Sequence, residues 1–342
     1  MRFDPPPRIA AVVDWLPPTT DPTDAAVAGG RVTADNAAKD GYLELPVSET
    51  LSGPEMAVRA AVKAIGEAGC PAERIGLVAH AWIYHQGHDF WSPAHYVAQH
   101  AGAVRAVPVG VQQMCNGGAA AVELAAVRLS ADPRLERALV TTGDRFAAPG
   151  FDRWQGDYGV SYGDGATALV LDRAHGPYRL LAAHTAAAPD LELMHRGHDD
   201  FSAAPRANGE TVDIRRTKKA FLGDGRGPHF AATAGDGVAR AVHGALADAG
   251  LTPDDPRLSH LLLPRLGRTV LETAYLPAVE HLGLSGVEVL DLGARTGHLG
   301  AGDAIAGLAH LHARNLLEPG RIAVLLSAGA GFTWTALLVA AD

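Results

Sequence analysis

One cysteine sits where a cysteine can do chemistry. The stretch Val111-Gln112-Gln113-Met114-Cys115-Asn116-Gly117-Gly118-Ala119-Ala120-Ala121-Val122-Glu123-Leu124 joins an apolar run at 106–111, read as a buried strand, to a small-residue helix through a polar turn. This is the layout of a nucleophile elbow, a reactive side chain on a sharp turn that opens a helix. The N-terminus of a helix offers free N–H groups and the positive end of its dipole, and both favour a thiolate. Gly117, Gly118 and Ala119 let the helix pack closely and leave room for a substrate. The competing reading is a buried structural cysteine, and the partners supplied elsewhere decide between the two. Cys70, in Gly69-Cys70-Pro71, sits at a helix end and is assigned a structural role. Neither cysteine belongs to a CxxC pair, so no disulfide framework or zinc site is expected.

Three further stretches carry candidate chemistry. The segment Tyr84-His85-Gln86-Gly87-His88-Asp89-Phe90-Trp91 is dense in aromatics and holds two imidazoles. It reads as a pocket wall or a subunit interface, and its spacing matches no metal site. The polar run His195-Arg196-Gly197-His198-Asp199-Asp200 reads as a lid or pocket loop. Arg215-Arg216-Thr217-Lys218-Lys219 is either a solvated face or a docking patch for an acidic carrier protein or a phosphate. Gly163-Asp164-Gly165-Ala166 enters a strand rather than a helix, which disfavours a phosphate loop and favours close backbone packing.

The elements that must position these residues alternate between strand and helix. Strands are expected at 9–13, 75–81, 106–111, 135–142, 165–171, 178–183, 261–263, 287–291, 321–327 and 332–340. Helices are expected at 54–68, 94–100, 117–129, 236–249, about 268–282 and 304–317. Residues 17–46 and 188–230 read as irregular. Both halves show the same rhythm, and each closes on a Gly/Ala-rich turn entering a strand, Gly163-Asp164-Gly165-Ala166 and Ala328-Gly329-Ala330-Gly331. A duplicated α/β unit follows, with halves at 1–174 and 175–342 and sheets covered by helices. The 29 basic and 38 acidic residues give a net charge of −9, which argues against nucleic-acid binding. No apolar run reaches membrane-spanning length and no signal peptide is apparent, so a cytoplasmic protein without a membrane partner is expected.

The cysteine elbow, Gly-Asp-Gly-Ala-Thr-Ala-Leu-Val-Leu at 163–171 and Gly-Ala-Gly-Phe-Thr-Trp at 329–334 together resemble the thiolase superfamily, and are most similar to β-ketoacyl-ACP synthase III. The resemblance covers nearly the whole chain. It implies a five-layered αβαβα fold from two duplicated halves, a homodimer, no cofactor, and acyl transfer through a thioester on Cys115 from an acyl-ACP or acyl-CoA donor. It also implies an oxyanion hole from the backbone N–H groups of Cys115 and Ala330.

The departures from that family are informative. Its histidine loop usually reads Pro-His-Gln-Ala-Asn, and here Pro264-Arg265-Leu266-Gly267-Arg268 stands in its place. Its asparagine loop usually reads Gly-Asn-Thr-Ser-Ala, and here it is Gly297-His298-Leu299-Gly300-Ala301, with Asp303 five residues after His298. Decarboxylative condensation uses two neutral donors to stabilise an enolate, and that pair is missing. A Cys115–His298–Asp303 set suits a different second step, in which the imidazole deprotonates an alcohol or amine. The pattern resembles synthase III-like acyltransferases of natural-product pathways, which transfer acyl groups to a sugar, a cyclitol or another carrier. The aromatic-histidine loop resembles that subgroup too. His85, Phe90, Trp91, His198 and Arg265 are therefore the candidate pocket residues. The synthase III relatives hold the CoA adenine partly with a tryptophan near the N-terminal edge, and 21–46 contains none. That points to an acyl carrier protein as donor. The alternatives are starter-unit condensation with malonyl-ACP and a non-catalytic partner subunit.

Overall fold

The computed structural model describes residues 1–206 and 209–342. Among the described residues the strands are β1 Arg8–Trp15, β2 Thr20–Pro22, β3 Glu44–Pro46, β4 Ile75–Ala81, β5 Val107–Val111, β6 Arg137–Asp144, β7 Gly165–Asp172, β8 Tyr178–Ala187, β9 Leu258–Leu262, β10 Glu288–Leu290, β11 Ile322–Gly329 and β12 Thr333–Ala341. Ten of them follow one another in the order β5-β4-β6-β7-β1-β8-β12-β11-β9-β10. Replacing β1, β4, β5, β6 and β7 by β8, β9, β10, β11 and β12 converts one half of that order into the other. The senses match as well: β4 is parallel to β5 and β6, as β9 is to β10 and β11. β1 joins the two halves of the order by pairing with β8, where Arg8 and Ile9 face Arg179 and Tyr178.

Helices cover and separate these sheets in five layers. The helix Gly53–Glu67 opens with a capping box between Ser52 and Glu55, and Pro54 fits its first turn. Its buried stripe of Met56, Ala60, Ala61 and Ala64 lies on Val78, Leu139 and Val170. On the opposite outer face, Gly227–Ala249 buries Val238, Val242 and Leu246 against Leu326, Trp334 and Leu338. Between the two sheets lie Gly117–Ala131 and Asp303–Ala313. Their Val122, Ala125 and Leu308 join one core with Leu77 and Val140 from the first half and Leu325 and Leu337 from the second. Small residues in these middle helices keep both sheets close. The αβαβα order is thus the one expected.

Three local expectations need correction. The strand before the elbow is an edge strand, with Val107 and Gly110 exposed, not a buried one. Residues 17–46 hold the short helices Thr23–Ala28 and Ala34–Asp40 and the β2/β3 pair. The stretch 188–230 is partly helical, at Leu193–Arg196 and Ile214–Gly223, and the next helix begins at Gly227; positions 207 and 208 within it lie outside the described residues. Gly237 within that helix serves packing: a Cβ there would meet the Trp334 ring at 2.3 Å. Among the described residues no helix is long and apolar enough to cross a membrane.

Candidate active site

The turn that carries Cys115 is strained and pinned. Met114 has φ of 50°, a left-handed conformation unusual for a residue with a side chain. Cys115 follows, half-buried, and the helix begins at Gly117. The Asn116 amide donates to Gln113 Oε1 at 2.6 Å and to Thr335 Oγ1 at 2.8 Å, fixing the turn to β12. Gly329 presses on it from behind, where a Cβ would lie 2.6 Å from Asn116 N and 2.7 Å from Gln113 O. That contact carries Ala330 to the wall of the cavity holding Cys115.

The second turn opens the other central helix. His298 is tied to the neighbouring strand entrance, its N–H donating to Ser161 O at 2.9 Å and its carbonyl accepting from Gly163 N at 3.1 Å. Its ring Nδ1 bonds Asp303 Oδ2 at 2.6 Å. Asp303 also accepts from Arg265 N at 2.7 Å and Leu299 N at 2.9 Å. Three donors and the N-terminal end of its helix hold this carboxylate in place. Burial alone would push the His298 pKa down, but the Asp303 charge outweighs it and holds the imidazole well above its ordinary value, with Cys115 adding to the rise. Burial works against ionised Asp303 too, and the His298 charge, followed by Arg265, keeps its carboxyl below the usual range. Asp303 thus orients the imidazole and favours its protonated form without fixing it there. Among the described residues His298 Nε2 is buried without a hydrogen-bond partner, and His298 lines the same cavity as Cys115, whose charge acts on it.

The two turns meet directly. A Cβ on Gly118 would lie 2.3 Å from Ala301 O, so only glycine lets the helix starts approach this closely. Behind them lies a second buried carboxylate that sequence reasoning missed. Asp144, at the end of β6, accepts from Ile83 N and Tyr84 N at 2.9 Å and from Ala301 N at 3.2 Å. Burial pushes its carboxyl up to about 7 against those donors and the His298 charge.

The cavity is about 250 Å³. Val160, Met194, Leu266, Val270, Phe230 and Phe332 make it largely apolar, with Cys115, His298, Ala328, Gly329 and Ala330 on one wall. Tyr162 packs edge-on to His298, ring centroids 5.3 Å apart. Of the residues singled out in the sequence, Cys115, His298, Asp303 and Ala330 come together here. His195 and Lys218, from two of the polar runs singled out in the sequence, also line it, and the remaining candidates lie elsewhere. Arg265 is buried behind Asp303, its guanidinium bonded to Leu292 O and Thr296 Oγ1. His85 lines a separate, more polar cleft of about 850 Å³. Phe90 stands fully exposed and Trp91 packs against His88 and Tyr96 at the surface. His198 is exposed and pairs with Asp224 at 3.0 Å. The basic cluster is mostly engaged internally: Arg215 donates to Asp157 O, Arg216 pairs with Asp199 and Lys218 with Asp157. Trp154, from another segment, packs at the 21–46 edge and bonds Asp21 through its indole N–H at 2.8 Å, buried among Ala26, Val32, Tyr42 and Leu45. Among the described residues no group of three or more His, Cys, Asp or Glu is arranged to hold a metal.

Comparison with known proteins agrees with this architecture. Residues 109–189 match the family described as 3-oxoacyl-[acyl-carrier-protein (ACP)] synthase III, and residues 246–341 match its C-terminal part. The β-ketoacyl-[acyl-carrier-protein] synthase III of Rhodobacter capsulatus is 27% identical over 296 residues, 83% of each chain. A solved structure named ChlB3, an acyltransferase, superposes with a TM-score of 0.88 at 32% identity, covering 98% of both chains. The synthase III of Aquifex aeolicus shares the fold, with a TM-score of 0.77 at 20% identity over 98% of this chain and 99% of that one. So does the priming β-ketosynthase of the R1128 polyketide pathway, with a TM-score of 0.77 at 19% identity over 100% and 97%.

Proposed function

Starting from a chain that belongs to the 3-oxoacyl-[acyl-carrier-protein] synthase III family of the thiolase superfamily, enzymes that transfer acyl groups, we propose that this protein moves an acyl group from a carrier thioester to a hydroxyl or amine. The family uses acyl carrier protein as a substrate partner and needs no cofactor beyond its acyl thioesters. In the first step Cys115 gives its proton to His298 and its sulfur attacks the thioester carbon. The bond to the carrier sulfur breaks, and the leaving thiolate takes the proton from His298. In the second step His298 Nε2 accepts the proton of the acceptor hydroxyl or amine. The acceptor attacks the acyl carbon, and the Cys115 sulfur leaves and takes that proton back from His298. The backbone N–H groups of Cys115 and Ala330 are the proposed donors to the carbonyl oxygen. The division near residue 174, the homodimer and a role in secondary metabolism belong to the same proposal.

The observation that carries this reading is the 2.6 Å His298–Asp303 contact, with the other ring nitrogen left buried and unpartnered. A carboxylate-paired imidazole is suited to taking a proton from an alcohol. Enolate stabilisation calls instead for two neutral donors, and the Arg265 guanidinium is bonded away from the cavity. Intact-mass measurement after incubation with acetyl, butyryl and benzoyl thioesters tests the first step. An adduct on the wild type that Cys115→Ala lacks supports it, and an adduct that persists in Cys115→Ala refutes it.

A further inference from the structure

The catalytic cavity has a polar corner that the proposed chemistry leaves unused. Asp157 is buried there and pairs with Lys218 Nζ at 2.6 Å. Its other oxygen accepts from Tyr162 OH at 3.0 Å. His195 lies in the same wall, close enough to Lys218 for that charge to act on it. Its Nδ1 is buried without a hydrogen-bond partner. Such an orphaned atom in an otherwise satisfied interior calls for an occupant. An ammonium has three donors, and the contact with Asp157 Oδ1 engages one of them.

Geometry relates this corner to the base. The Tyr162 ring lies edge-on to His298, and its hydroxyl reaches Asp157. The polar corner is therefore about one tyrosine side chain from the imidazole that receives the acceptor's proton. Charge narrows the occupant further. Asp157 balances Lys218 and repels a second carboxylate, and burial, with Lys218, pushes the His195 imidazole down to about 4, leaving it neutral near pH 7.

We propose that Lys218, held by Asp157, and His195 form a subsite for the acceptor, which is a neutral diol or polyol whose second hydroxyl lies about one tyrosine length from the hydroxyl that is acylated. This rests on the acyl-transfer reading. While one hydroxyl faces His298 Nε2, the second accepts from Lys218 and bonds His195 Nδ1. Monohydroxy acceptors fill the same apolar cavity without that anchor.

The test compares cyclohexane-1,4-diol with cyclohexanol, which match in shape and differ by one hydroxyl. Cys115 is loaded from acetyl, butyryl or benzoyl N-acetylcysteamine thioester, and transfer is counted per acylated enzyme and per hydroxyl. The expected preference for the diol is about tenfold in kcat/KM, that of one hydrogen bond to a charged group, expressed mainly in KM. Lys218→Met brings the ratio to about one. His195→Phe, which keeps the ring shape and adds no charge, lowers it severalfold and covers the case in which unpaired Asp157 destabilises Lys218→Met. Equal use of both alcohols, or a preference that both variants retain, overturns the subsite and leaves acyl transfer standing. Loading without transfer to either alcohol overturns both, as does failure of all three thioesters to load.

Discussion

The two central helices begin at equivalent places in the two halves, after β5 and after β10, yet their first turns are built oppositely. The turn before Gly117–Ala131 is strained at Met114 and leaves Cys115 half-buried. The turn before Asp303–Ala313 encloses His298 and Asp303 almost completely and satisfies the carboxylate with three donors. The difference follows from the tasks assigned to them. A nucleophile has to be reachable by a bulky thioester, whereas a base keeps its tautomer and aim only when its support is rigid. On the proposed mechanism, one of two similar helix starts carries the attacking group and the other handles the proton. Asp144 and Asp303 extend the contrast. Both are buried carboxylates touching the second turn, but the imidazole bonds Asp303, and their pKa values move in opposite directions.

The most drastic break in this division of labour is Cys115→Ala. Acyl transfer should fall at least about a thousandfold, with the melting temperature nearly unchanged in a thermal scan. Next is His298→Gln, which should slow transfer from the acyl-enzyme by about a hundred- to ten-thousandfold when discharge is followed by rapid quench. Asp303→Asn affects rate and pH together. Asp303 raises the His298 pKa, and the base must be neutral to act, so transfer rises with pH and the variant's rising limb moves to lower pH. The same substitution replaces one of the two oxygens that accept from Arg265 N, Leu299 N and His298 by an amide donor and removes the charge, and denaturant titration should record a loss of about 3 kcal/mol.

The ion pair also sets a pH window for stability. The raised His298 pKa contributes stability that is complete below its unfolded value near 6.5 and is lost as pH rises through the higher folded value. The lowered Asp303 pKa contributes above its unfolded value near 3.9 and is lost as pH falls through the folded one. Disrupting the pair should therefore cost most between these limits.

Gly118→Ala probes the contact between the turns. Its Cβ would meet Ala301 O at 2.3 Å, and a displacement of about 1 Å between Cys115 and His298 should reduce transfer about a hundredfold while Cys115 still reacts with iodoacetamide. The smallest effect belongs to the other cysteine. Cys70 packs at the rim of the outer helix layer; Cys70→Ala should cost less than about 1 kcal/mol and leave acyl transfer intact in the same assay.

Local pattern was enough to place Cys115, His298, Asp303 and Ala330, because each sits in a Gly-rich turn that opens a helix or enters a strand. The duplicated αβαβα layers were legible for the same reason: apolar strands and helices recur in the same order in both halves. The polar corner was hidden. Lys218 lies in a basic run that looks like surface, and only the fold turns it toward Asp157. Asp144 resembles any strand-terminal acid until Ile83, Tyr84 and Ala301 are seen to converge on it. Arg265 occupies a catalytic position by alignment, but Leu292 O and Thr296 Oγ1 draw its guanidinium away. Phe90 and Trp91 suggested a pocket by composition, and composition carries no direction.

The central claim is that His298 and Asp303 direct the acyl group to oxygen or nitrogen instead of carbon. A single-turnover competition tests it: acylated wild-type enzyme meets a hydroxyl acceptor and a carboxyl-labelled malonyl thioester in one vessel, and ester and released carbon dioxide are counted together. The account predicts ester in an amount close to the Cys115 adduct consumed, with little labelled carbon dioxide. Stoichiometric carbon dioxide with a β-ketoacyl product would contradict it.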